Sequence, residues 1–177
     1  MKSEEATYVR EKLAELRKGP YEARSTKKPC VSVYFNGMSD GLKPELQAIT
    51  SFAQENNDRA LGEKDGSIIV PVFRKTNWGT CGLIWEISLE GVLRNHMYVE
   101  PVGNGFGEAS FKMATCAYEG ARQLGKPTLV LVKKKREANH PEFARRFLMD
   151  VKRKDIEYYQ TPEQFVEKFR SRYWRIH

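Results

Sequence analysis

From Val31 onward the chain alternates two apolar patterns, short continuous runs and runs recurring every three or four residues. Residues 31–36 (VSVYFN) are β-branched and aromatic and stop at Gly37, which predicts a buried strand. Leu42, Leu46, Ile49 and Phe52 then recur at helical spacing, with Ser39 or Asp40 available as a cap and Pro44 tolerated in the first turn. Residues 56–66 are polar and read as a turn. A second strand follows over residues 67–73 (SIIVPVF), where Pro71 removes one ladder hydrogen bond. Beyond residues 79–82, Leu83, Ile84, Ile87 and Val92 share roughly one helical face, and residues 96–100 read as a third strand. Residues 109–124 form the next helix, in which Ala114, Ala117 and Ala121 are small enough to let its backbone approach a sheet. Residues 128–132 (TLVLV) are continuously apolar, as a strand covered on both faces must be. A helix over residues 141–149, a fifth strand over 156–159 and a capped helix complete the pattern. Thr161-Pro162-Glu163-Gln164 is the capping box of that last helix, with Phe165, Val166 and Phe169 on its inner face.

Five strands alternating with five helices require right-handed crossovers and a parallel sheet with helices on both faces, a three-layer α/β architecture. Residues 1–30 read as a basic N-terminal extension: a charged helix around Tyr8, a Gly19-Pro20 break and a linker ending at Pro29. The extension is expected to be either a docking arm or loosely ordered. Residues 31–177 form the single α/β domain.

Composition narrows the class. The 177 residues are 40% apolar, enough for one core without disulfides. No apolar run approaches the roughly 18 residues of a membrane span, and the first 30 residues lack the apolar stretch of a secretory signal. Cys30, Cys81 and Cys116 are odd in number and widely spaced, and His96, His140 and His177 are equally scattered. No disulfide framework, metal site or cofactor is therefore expected, and the expected location is a reducing intracellular compartment, cytoplasm or organelle matrix.

Charge is concentrated at the ends. Residues 133–177 carry 13 basic against 7 acidic side chains and residues 1–30 carry 8 against 5, whereas residues 31–132 carry 9 against 11. Lys133, Lys134, Lys135 and Arg136, followed by Arg145, Arg146, Lys152, Arg153 and Lys154, suggest either a basic rim that attracts phosphates or a solvated face. Nucleic acid is a candidate partner of these ends, without sequence specificity, because no aromatic RNA-binding signature is present.

In an open parallel sheet the ligand sits outside the carboxyl ends of the strands. The loop after the third strand, Pro101-Val102-Gly103-Asn104-Gly105-Phe106-Gly107-Glu108, places three alternate glycines before a helix. Gly103, Gly105 and Gly107 let backbone amides approach an anion, or simply make a tight turn. The spacing is neither the dinucleotide fingerprint nor a Walker loop. The loop after the second strand offers Arg74 for a phosphate and Trp78 for stacking, with Asn77 between them. Cys81, near a helix start, is a weak candidate thiol. Glu100 ends the third strand, Glu108 opens the next helix and Glu86 lies in the helix before it. A carboxylate at a strand edge can attack or stabilise an oxocarbenium-like sugar carbon, and an acidic residue in a first helical turn also simply answers the helix dipole.

VYFNG at the first strand, RKTNWG after the second, VEPVGNGFGEASF, ARQLGKPTLVLV and the closing YYQTPEQF resemble, over about residues 31–169, the Rossmann-like nucleoside-handling families. These are the nucleoside 2-deoxyribosyltransferases, the nucleotide N-glycosidases and the cytokinin-activating phosphoribohydrolases. The resemblance implies a Rossmann-like fold, a nucleoside or nucleotide ligand and cleavage or transfer at an N-glycosidic bond by a helix-borne glutamate. Eight residues before Gly125, where the transferase pattern has its glutamate, the chain carries Ala117, with Glu119 nearby. The phosphoribohydrolase pattern matches Gly107-Glu108-Ala109-Ser110, without its threonine.

Two functions follow. In the first, an enzyme of hydrolase or transferase type holds the phosphate with Arg74 and the amides of the glycine loop, with Gly103 and Asn104 beside them. Tyr34 or Trp78 stacks on the base, Asn36, Gly37 and Asn77 line the pocket, and Glu108 or Glu100 assists glycosidic cleavage. In the second, the chain is a non-catalytic basic subunit, a pseudoenzyme that docks on protein partners, on a second copy of itself, on nucleic acid or on lipid through its charged ends.

Overall fold

The structure, a computed structural model, describes residues 3–16, 30–36, 40–63, 66–73, 83–134 and 141–174. Helix α1 (Ser3–Leu16) precedes five strands: β1 (Cys30–Phe35), β2 (Ile68–Phe73), β3 (Met97–Val102), β4 (Thr128–Lys133) and β5 (Ile156–Tyr159). The helices between and after them are α2 (Lys43–Gly62), α3 (Leu83–Arg94), α4 (Glu108–Gln123), α5 (Glu142–Asp150) and α6 (Pro162–Trp174). All neighbouring strands pair in parallel, in the order β2-β1-β3-β4-β5. The fold is thus a three-layer, Rossmann-like α/β arrangement.

Side-chain alternation along each strand builds the two outer layers. Val31, Val33 and Phe35, with Met97, Val99, Leu129 and Leu131, point to the face covered by α2 and α6. Their neighbours Tyr34, Tyr98, Val102, Val130 and Val132 point to the face covered by α3, α4 and α5. On that second face Ala114, Ala117 and Ala121 of α4 are fully buried, as small residues beneath a helix should be. Helix α1 packs on α3 and α4 through Val9 and Leu13 against Leu89 and Cys116, and Gln123 Nε2 donates to the Ala6 carbonyl at 3.1 Å. Among the described residues no helix is long and apolar enough to cross a membrane.

One expected turn is a helix. Residues 56–66 were expected to leave α2, yet α2 continues to Gly62. Its asparagines serve the edge strand: Asn57 Nδ2 donates to the Ile69 carbonyl at 2.8 Å and Ile69 N donates to Asn57 Oδ1 at 2.7 Å, while Asn56 Nδ2 reaches the Ser67 carbonyl at 3.2 Å. These amides answer backbone groups near the start of β2, an edge strand, where Pro71 is also tolerated. The last helix opens as expected, with Gln164 N donating to Thr161 Oγ1 at 3.3 Å, although the reciprocal bond to Gln164 Oε1 comes from Gln160 N at 2.9 Å. After α4 the chain turns through Gly125 at φ 65°, and Lys126 N returns to the Ala121 carbonyl at 2.9 Å.

Candidate active site

The strand order reverses at β1. The chain leaves β1 toward β2 on one side and returns across it to β3 on the other, so the carboxyl ends of β1 and β3 flank the switch point. There the strands carry polar residues into an apolar layer. Tyr34 and Asn36, two apart, share one face, as do Tyr98 and Glu100.

These four side chains and Ser88 of α3 form one buried network. Asn36 Nδ2 donates to Glu100 Oε2 at 2.7 Å, and the Tyr98 hydroxyl donates to the same oxygen. Asn36 Oδ1 accepts from the Tyr34 hydroxyl at 3.3 Å and from Ser88 Oγ at 3.4 Å. Glu100, Asn36 and Ser88 are fully buried. Burial, and then the neighbouring Glu100 charge, push the Tyr98 hydroxyl well above its ordinary range, so it stays protonated and donates to the carboxylate. A buried carboxylate costs several kcal/mol unless donors replace its water, and Asn36 and Tyr98 are two such donors. Gly91 of α3 lies against the Tyr34 ring, where a Cβ would meet ring atoms at 2.4 to 2.8 Å.

The glycine loop is a tight turn beside this network. Phe106 N donates to the Gly103 carbonyl at 3.4 Å and Gly107 N to the Gly105 carbonyl at 2.9 Å, so these two amides are engaged within the loop. Gly103 is buried against Leu42 of the β1–α2 connection, and Phe106 packs on Phe147, with ring centroids 5.5 Å apart. Asn104, Gly105 and Gly107 are exposed, and Gly107 is the N-cap of α4.

Glu108 stands apart from Glu100. It is exposed on α4 and pairs with Lys112 at 2.8 Å; the Lys112 hydrogen bond and charge hold its carboxyl below the usual range. Glu119 lies eleven residues further along α4, bonded to Arg122 at 3.0 Å and to Gln123 Nε2 at 3.0 Å. The structure therefore brings Tyr34, Asn36 and Glu100 together and leaves Glu108 and Glu119 elsewhere on α4. Gly37, Arg74, Asn77 and Trp78 lie outside the described residues, as does Cys81.

Ser88 and Tyr98 were not singled out from sequence. The signal for Tyr98 was available, because its two-residue spacing from Glu100 puts both on one strand face. A further cluster carried no such signal. Glu45, in the first turn of α2, is fully buried and pairs with Lys133 Nζ, at the end of β4, at 2.7 Å. The Tyr159 hydroxyl at the end of β5 lies beside them, and burial followed by the Glu45 charge raises its pKa. Of the expected basic rim, Lys133 is thus engaged in an ion pair, while Lys134 lies over the Tyr158 ring and Arg146 over the Phe111 ring.

No family model, curated protein or solved structure matches this chain. The fold and the polar network define the class: a Rossmann-like α/β domain with a buried carboxylate at its switch point.

Proposed function

We propose that the chain binds a nucleoside or nucleotide at the carboxyl edge of its sheet and acts on the N-glycosidic bond, with Glu100 as the reacting carboxylate. The observation that carries this reading is Glu100 itself, held at the β1/β3 switch point by Asn36 and Tyr98. A carboxylate fixed by donors is oriented before the substrate arrives, as a nucleophile or an oxocarbenium stabiliser must be. In the reaction, one Glu100 oxygen bonds to the anomeric carbon as the carbon–nitrogen bond breaks. The bonding pair leaves with the base, which takes up a proton from solvent. Water, or the nitrogen of a second base, then attacks that carbon, gives up its proton to solvent and releases the carboxylate. Asn36 and Tyr98 position Glu100 in this scheme.

The complete burial of Glu100 favours a second reading, in which the network braces α3 on the sheet and the chain is a non-catalytic subunit docking through its basic ends. Incubation with a panel of nucleosides and nucleoside monophosphates, read by chromatography for free base and by thermal shift for binding, separates the two. The first reading expects release by the native chain and a loss of more than about a hundredfold in Glu100→Gln, with ligand binding retained. Glu108→Gln should keep its turnover. No base release with any member of the panel, whether or not a thermal shift is seen, would overturn the first reading and favour the second.

A further inference from the structure

Helices α2 and α6 lie side by side on the face of the sheet opposite the Glu100 network. Between them is a cavity of about 400 Å³ lined by Phe52, Glu55, Asn56, Arg59, Arg170 and Trp174. The α2 residues fall at i, i+3, i+4 and i+7 and the α6 pair at i and i+4, so each helix contributes one continuous stripe. Phe52 meets Phe169 edge-on at 6.1 Å and anchors the apolar part of the lining. Trp174 is 53% exposed, and its indole meets the Tyr173 ring in a T-shaped contact with centroids 5.1 Å apart. Among the described residues neither Arg59 nor Arg170 enters an ion pair. Two uncommitted guanidinium groups, an exposed indole and one carboxylate thus line a single cavity.

We propose that this cavity binds a small ligand in which a planar heterocycle bearing N–H donors is joined to a phosphate, the chemistry of a nucleoside monophosphate. Guanidinium groups present forked donors that match phosphate oxygens, and an indole face stacks on a planar ring. Glu55 separates this ligand from a bare anion, since a carboxylate repels phosphate but accepts from a ring amino group. The volume falls within the roughly 300 to 1,000 Å³ of small-molecule pockets. Because α2 begins at the carboxyl edge, residues 52–59 lie toward the opposite end of the sheet. The cavity is therefore separate from the Glu100 network, and its occupancy is independent of any glycosidic chemistry there.

The test follows the indole N–H resonances of the full-length 15N-labelled chain, with the Trp174 signal assigned by its disappearance in Trp174→Phe. The probes are adenosine 5′-monophosphate, adenosine and ribose 5-phosphate. The monophosphate should move the Trp174 resonance and bind at least about tenfold more tightly than either fragment, because both halves of the lining then contribute. Arg170→Ala and Arg59→Ala should each weaken that binding by about tenfold. An unchanged far-ultraviolet circular dichroism spectrum and urea midpoint in the variants would show that the fold is intact. An unmoved Trp174 resonance at millimolar monophosphate would overturn the proposal, as would ribose 5-phosphate binding equally well or wild-type affinity in both arginine variants. Base release by the Arg170→Ala chain should match wild type, which keeps this outcome distinct from the fate of the Glu100 reading.

Discussion

Gly91→Ala tests whether the Glu100 network is braced by close contact between α3 and the sheet. A Cβ at Gly91 would stand 2.4 Å from Cζ of Tyr34 and 2.6 and 2.8 Å from its two Cε atoms. Carbon atoms in contact sit about 3.5 to 4.0 Å apart, so the ring or the helix must move by about 1 Å. The ring has little room: Tyr34 is 2% exposed, and its hydroxyl is bonded to Asn36. Overpacking of this kind costs about 1–3 kcal/mol, whereas alanine gains about 0.5–1 kcal/mol over glycine inside a helix. The net expectation is a loss of about 0.5–2 kcal/mol. With a urea m-value of about 2 kcal/mol/M, the unfolding midpoint should fall by about 0.3–1 M, read by circular dichroism. In a Tyr34→Leu background the clash is gone and the same change should be neutral or stabilising, which a double-mutant cycle measures. A raised midpoint for Gly91→Ala in the wild-type chain would refute the reasoning, since helix propensity alone would then govern the position.

Three further outcomes follow from other contacts. Lys133→Met leaves the Glu45 carboxylate buried without its cation and should cost about 3 kcal/mol in urea unfolding, with Glu45→Gln in the same chain restoring part of it; a midpoint equal to wild type would mean the pair is not formed. The Tyr118 hydroxyl, raised from 10.0 to about 12 by burial and by its bond to Asp155, keeps its proton in the folded chain after the unfolded chain has lost it. Stability should therefore fall as pH rises from 10 to 12, and Tyr118→Phe should show a shallower decline in urea midpoint between those values. Gly125→Ala forces a side chain into the left-handed region at φ 65° and should lower stability by about 1 kcal/mol, measured as a thermal midpoint shift of about 2–4 °C.

Much of the architecture was written locally. Residues 128–132 declare a strand because every position is apolar or β-branched, and residues 31–35 do so with Ser32 as their one small polar residue; a strand buried on both faces needs no alternation. The Thr161 capping box fixed the start of α6, and Leu124-Gly125-Lys126-Pro127 fixed the end of α4, because helix termini are satisfied by residues a few positions away. Residues 56–62 misled for a physical reason. Their asparagines look like turn formers until β2 is placed beside them, where the same amides bond strand backbone.

The sequence by itself determined the order of strands and helices along the chain and the parallel sheet, since periodicity and crossover handedness act through near neighbours along the chain. Only the tertiary structure decided which carboxylates share an environment. Glu100 meets Asn36 across 64 residues and Glu45 meets Lys133 across 88, while Glu108, beside the glycines in sequence, spends its charge on Lys112 in solvent. Burial and hydrogen bonding set the state of a carboxylate, and both depend on what the folded chain brings to it, which spacing along the chain does not encode.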